Sequence, residues 1–102
     1  MVGEKTFTKS FLIAPDGTSA DWEVREFSAL SPAQLEQLCL VESDVLMIGT
    51  GVIQCLPDPL LTQTLAKHGR SAEFMSSRAA CSTFNVLALD ERPVLAAIIL
   101  PL

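Results

Sequence analysis

Two short turns in this 102-residue chain bring together residue types that could bind or transform a ligand. The first is Gly49-Thr50-Gly51, directly after the apolar run Val45-Leu46-Met47-Ile48; the second is Ser76-Ser77-Arg78, directly before a helical pattern. Two glycines permit close backbone approach, and a helix start offers unpaired N–H groups at the positive end of its dipole. Arg78 adds a formal charge there, and Gln54, Ser76, Ser77 and Thr83 add hydrogen-bonding groups. In a right-handed β-α-β unit, strand C-termini and helix N-termini share one edge of the sheet. The two turns therefore fall on one side, adjacent if their strands are neighbours. Such a crevice would suit a carboxylate or a phosphate. The simpler reading is that Gly49 and Gly51 only shape a tight turn and Ser77 only caps a helix.

Catalytic and cofactor motifs are absent. Gly49-x-Gly51-x-x-Gln54 lacks the third glycine of a dinucleotide fingerprint, and Glu73 begins the next strand instead of ending it. No Walker A segment and no GxSxG nucleophile elbow occurs. Zinc needs three or four ligands at workable spacing, whereas this chain has one histidine and three scattered cysteines, Cys39, Cys55 and Cys81. His68 falls in the last turn of a helix, where it favours the C-terminal dipole. Cys81 follows Arg78 by three residues, a neighbourhood that lowers a thiol pKa, yet His68 is the single histidine that could serve it as a base. No catalytic set, metal site or cofactor is expected. Asn85 lies inside an otherwise apolar helix, and an amide there needs partners or its desolvation costs about 1–3 kcal/mol. It either ties the helix to a neighbouring backbone or opens into the crevice.

These residues need a frame, and the hydropathy pattern supplies one. Residues 7–14 read as a strand, Pro15-Asp16-Gly17-Thr18-Ser19 turns the chain, and residues 21–26 alternate as a second, half-exposed strand. Ser31-Pro32-Ala33-Gln34 starts a helix with an N-cap serine, a proline at N1 and a capping-box glutamine. Leu35, Leu38 and Cys39 form its apolar stripe. Residues 45–48 are continuously apolar, as in a strand covered on both faces. Asp58-Pro59 opens a second helix through Lys67, closed by Gly69 as a C′ glycine. Residues 72–75 form a short strand, and Ser77 caps a third helix with Ala80, Thr83, Phe84, Leu87 and Ala88 on one face. Asp90-Glu91-Arg92-Pro93 turns the chain into a last strand over residues 94–100. The expected fold is α/β: a single three-layer domain over residues 1–102, with a mixed, mostly parallel central sheet, flanking helices and a front β-hairpin.

Composition bounds the partners. Hydrophobic residues make up 49% and charged residues 19%, with a mean hydropathy of +0.38, which excludes a disordered chain. No apolar run approaches the ~20 residues of a membrane span. The formal charge of −5 is uneven: residues 1–44 carry eight acids and three bases, residues 45–102 four of each. An acidic domain without a basic stripe repels a polyphosphate, so nucleic-acid binding is not expected. Three cysteines without a CxxC pair, and an N-terminus without a signal core or presequence pattern, point to a soluble protein of a reducing, cytoplasmic setting.

The later motifs, taken together, resemble a known family. Gly49-Thr50-Gly51, Gln54, Pro57, Glu73-x-Met75, Ala79-Ala80-Cys81, Thr83-Phe84-Asn85-Val86-Leu87 and Arg92-x-Val94 stand in the order of a small-domain family of unknown function. Its mitochondrial member is complex I assembly factor three, and it has many bacterial and archaeal relatives. The likeness is good over residues 44–100 and looser in front, where Ser10-Phe11-Leu12-Ile13 and Trp22 resemble an early strand and tryptophan. An opening strand of the family is shortened or missing here. Ser76 and Ser77 stand where the family tends to have aspartate and threonine, and Phe84 where it has tyrosine, which removes a hydroxyl from the crevice. The resemblance implies a compact three-layer α/β domain without established chemistry, whose eukaryotic relative works through protein contacts. A complex I role is not carried over, since prokaryotic members need not share it. Two functions stay open. One is a non-catalytic protein-interaction module, its partner another protein or a second copy. The alternative is a small-molecule or anion-binding protein, enzymes included, using Gly49, Thr50, Gly51, Gln54, Ser76, Ser77, Arg78, Cys81, Thr83 and Asn85.

Overall fold

Local chemistry sets the helix boundaries in the computed structural model, which describes residues 9–100. Helix α1 spans Pro32–Cys39. The Ser31 hydroxyl accepts from the Gln34 N–H, and the Gln34 side chain accepts from the Ser31 N–H at 3.0 Å, closing the capping box. Helix α2, Pro59–Lys67, starts at Asp58, whose carboxylate accepts from the Leu61 N–H at 3.1 Å. It ends with Gly69 at φ +66°, the Gly69 N–H bonding to Ala66 O and the Arg70 N–H to Leu65 O. Those two bonds make a Schellman motif, whose left-handed residue favours glycine. Helix α3, Ser77–Leu89, departs from expectation by one residue: Ser76 is its cap, accepting from the Ala79 N–H, and Ser77 is the first helical residue.

Strands β1 (Phe11–Ile13), β2 (Ser19–Asp21), β3 (Val45–Gly49), β4 (Glu73–Met75) and β5 (Val94–Ile98) form one open sheet in the order β2-β1-β5-β3-β4. Strand β3 pairs in parallel with β4 and β5; β1 pairs antiparallel with β5 and β2. The front hairpin therefore completes a mixed sheet. Its turn is held by Asp16, whose carboxylate accepts from both the N–H and the hydroxyl of Thr18. The second strand was expected at residues 21–26 and is found at Ser19–Asp21. Trp22 and Val24 alternate as a strand would and are buried in the same core cluster as residues of α1 and α2. The Trp22 N–H still bonds to Ser10 O at 2.8 Å, one position past the β1–β2 pairing, and the strand goes no further. The parts of the expected opening strand at Phe7 and Thr8, and the family's earlier strand, lie outside the described residues.

Alternate residues of the central strands point to opposite faces. Leu46, Ile48, Leu95 and Ala97 meet Leu35, Leu38, Leu61 and Leu65 from α1 and α2 on one face. Met47, Val94, Ala96 and Ile98 meet Ala80 and Phe84 from α3 on the other. Every residue of β5 is buried. This is the three-layer α/β domain expected, and truncating Leu46 or Ile48 to alanine would cost about 2–5 kcal/mol.

Candidate functional site

Because β3 and β4 are parallel neighbours, both end on the same rim of the sheet. There the two turns meet. The Thr50 N–H donates to Met75 O at 2.8 Å, the Gly51 N–H to Ser77 Oγ at 2.9 Å, and the Ser77 N–H to Gly51 O at 2.8 Å. The Ser77 hydroxyl donates to Ile99 O, and the Ile99 N–H returns a bond to Gly49 O at 3.0 Å. Ser77 is wholly buried at this crossing of β3, α3 and the end of β5. Gly49 is glycine because of it: a Cβ there would stand 2.7 Å from Ser77 Oγ and 2.8 Å from Ser77 Cα. Gly51 takes φ +104°, a backbone state that L side chains rarely adopt.

Several of the donors that an anion would use at this rim are engaged within the protein. Of the first N–H groups of α3, Ser77 bonds to Gly51 O, Ala79 to Ser76 Oγ and Ala80 to Ser76 O. Arg78 is exposed at the second helical position. Gln54 is also exposed, and its side-chain amide donates to Phe74 O at 3.0 Å on the edge strand β4. The remaining candidates do not converge with them. Thr83 and Asn85 lie six and eight residues beyond Ser77, about 9 and 12 Å along the helix axis, and about 200° apart around it. Asn85 is half-buried and already engaged in an interaction. Cys81 packs against the α3 face of the sheet, and burial pushes its thiol above the ordinary value, opposite to the lowering expected beside Arg78. Burial alone accounts for the rise, because it penalises the charged thiolate. Among the described residues, no group of three or more His, Cys, Asp or Glu is placed to hold a metal ion.

Sequence reasoning passed over what stands next to this knot. Val52, Ile53, Leu56 and Leu60 are 63, 73, 81 and 57% exposed, on the connection from β3 into the first turn of α2. Their segment is nonetheless braced. The buried Thr50 hydroxyl accepts from the Cys55 N–H at 3.1 Å and donates towards Ile53 O at 2.8 Å and Met75 O at 3.2 Å. Gln54 pins the middle of the loop to β4, and Asp58 anchors its end as the α2 cap. The available signal was aperiodic: apolar residues between a glycine turn and an Asp-Pro helix start, at neither helical nor strand spacing.

A family model described as a protein of unknown function, DUF498/DUF598, matches residues 1–99. The chain belongs to that family. A crystal structure of a Bordetella parapertussis protein is 31% identical, covers 93% of this chain and 81% of its own, and superposes with a TM-score of 0.83. The solution structure of a Bordetella pertussis protein, described as a Mth938-like domain, is 26% identical with a TM-score of 0.73, over 91% of this chain and 74% of that one. Mth938-like domains are the complex I assembly factor family, so the resemblance carried by the later motifs holds. Among curated relatives, the 13 kDa major membrane protein of Francisella tularensis subsp. holarctica is 31% identical over 72 residues, 71% of this chain. The chain spans 58% of that relative's length. Within the described part of this family member, no helix is long and apolar enough to cross a membrane.

Proposed function

We propose that this member of the DUF498/DUF598 family is a non-catalytic protein-interaction module of the assembly-factor type, with the loop over residues 52–60 as its contact surface. The observation that carries the reading is the display of four aliphatic side chains, each more than half exposed, on a loop braced by Thr50, Gln54 and Asp58. Burying such a side chain completely is worth about 1.5–3 kcal/mol, which gives a partner reason to cover it. A loop already held in place loses less freedom on binding. The internal engagement of the Gly51, Ser77 and Ala79 N–H groups supports the same reading over a ligand crevice: the rim supports the loop instead of receiving an anion. A complex I role is not part of the proposal. The setting we propose is the cytoplasm, where the free thiols Cys39, Cys55 and Cys81 persist.

The test is a photoreactive amino acid placed singly at Ile53 or Leu56, with Ser82 on the exposed side of α3 as the comparison position. Illumination in the host cell should yield protein adducts from the two loop positions and not from Ser82. Equal labelling at all three, or none at the loop, overturns the reading.

A further inference from the structure

The charge pattern of the loop points to its occupant, and this inference rests on the interaction reading above. Residues 50–57 carry no Asp, Glu, Lys, Arg or His. Asp58 stands exposed at one end of this uncharged stretch, as the cap of α2. Arg78 stands exposed beside the other end, one residue past Ser77, whose N–H and hydroxyl hold Gly51. The uncharged segment thus runs from the turn that carries Arg78 to Asp58, with the exposed Glu73 preceding the Phe74 carbonyl that holds Gln54.

A two-fold contact lays a patch on its own copy with the direction reversed, so that residue i meets j while j meets i. Reversal sets the Asp58 end of one copy against the Arg78 end of the other, and symmetry makes that attraction twice. Between these ends Val52, Ile53 and Leu56 close on the same uncharged, aliphatic surface. We infer that the chain self-associates through the loop following β3, in an isologous contact zipped by Val52, Ile53 and Leu56 and registered by reciprocal Asp58–Arg78 pairs. A patch bounded by a single sign of charge would repel its own image; this one carries both signs, which lets Asp58 of one copy meet Arg78 of the other. The wider charge distribution agrees. Residues 1–44 hold the whole formal charge of −5 and residues 45–102 hold none, so the contact falls in the neutral part of the sequence. The patch is small beside the ~800 Å² per partner of a standard interface, so the association is a reversible one that depends on protein concentration.

Sedimentation velocity of the full chain over a concentration series, from about 1 µM to about 1 mM, reads this directly. The weight-average mass should rise from 11.0 kDa towards twice that value. Ile53→Glu and Leu56→Glu, both at exposed positions, should hold the chain monomeric with unchanged circular dichroism. Arg78→Glu and Asp58→Arg should each be monomeric alone, because each opposes like charges to itself. Mixed in equal amounts, the two should form a heterodimer, an outcome that lost folding cannot imitate. A mass that stays at 11.0 kDa throughout overturns the inference, as does a dimer indifferent to the loop glutamates or mixed variants that stay apart. Loop adducts of another mass, formed in cells by a chain that stays monomeric, would leave the interaction reading standing and remove the second copy as its partner.

Discussion

Two stretches that join at Gly51 follow opposite rules. On one side, Gly49, Ser77 and Ile99 enclose polar groups completely and answer each with a hydrogen bond. On the other, residues 52–60 turn aliphatic side chains out to solvent while their backbone stays tied down by Thr50, Gln54 and Asp58. The polar groups of Gly49, Thr50, Gly51 and Ser77 are bonded within the fold, whereas the aliphatic side chains of Val52, Ile53, Leu56 and Leu60 are exposed. Residue type alone is therefore a poor guide at this rim; what separates the two stretches is whether each group already has a partner inside the fold.

The contrast can be broken first at its tightest point. Gly49→Ala drives a Cβ against the Ser77 backbone as well as its hydroxyl, and should cost about 3 kcal/mol of stability in urea unfolding, beyond ordinary helix or strand propensity. A loss below about 1 kcal/mol would mean that the close approach is not rigid. Ser77→Ala should follow at about 2 kcal/mol, since it strands the buried Gly51 N–H and the Ile99 carbonyl together. The loop should answer in the opposite sense: Ile53→Glu and Leu56→Glu should change the same unfolding free energy by no more than about 0.5 kcal/mol. A larger loss would show that these side chains pack in the folded monomer.

The smallest effect concerns pH. Burial raises the Cys81 and Cys39 thiols in the folded chain, so on raising pH the unfolded chain releases these protons first. Stability is fully present below the ordinary thiol range and falls as pH climbs through it towards the higher folded values. Cys81→Ser should flatten that alkaline decline, measured as urea midpoints between neutral and alkaline pH. A decline of unchanged slope would mean that Cys81 ionises as freely in the fold as out of it.

Much of this architecture was legible from the residues, for physical reasons. Continuous apolar runs mark β3 and β5 because both faces of those strands are covered, and Ser31-x-x-Gln34 and Asp58-Pro59 mark helix starts because those groups satisfy orphan N–H donors. The meeting of the two turns followed from parallel topology. Three things did not follow. Trp22 and Val24 alternate like a strand and are buried in the core, yet the strand pairing ends at Asp21, with one further bond from the Trp22 N–H to Ser10 O. Adjacent serines gave no local reason to choose Ser76 over Ser77 as the cap; that choice is made by Gly51 and Ile99, which are distant in sequence. Exposure of residues 52–60 depends on a tertiary brace from Thr50 and the β4 edge, and a period cannot reveal it.

The decisive question is whether the exposed loop, and not the polar rim, is where this protein meets others. Placing a photoreactive residue at Val52 in wild-type protein and in an Ile53→Glu/Leu56→Glu background, then comparing adduct yield in cells, tests it most directly. Adducts should form in the first and vanish in the second. Equal yields from both would contradict the loop as the contact surface.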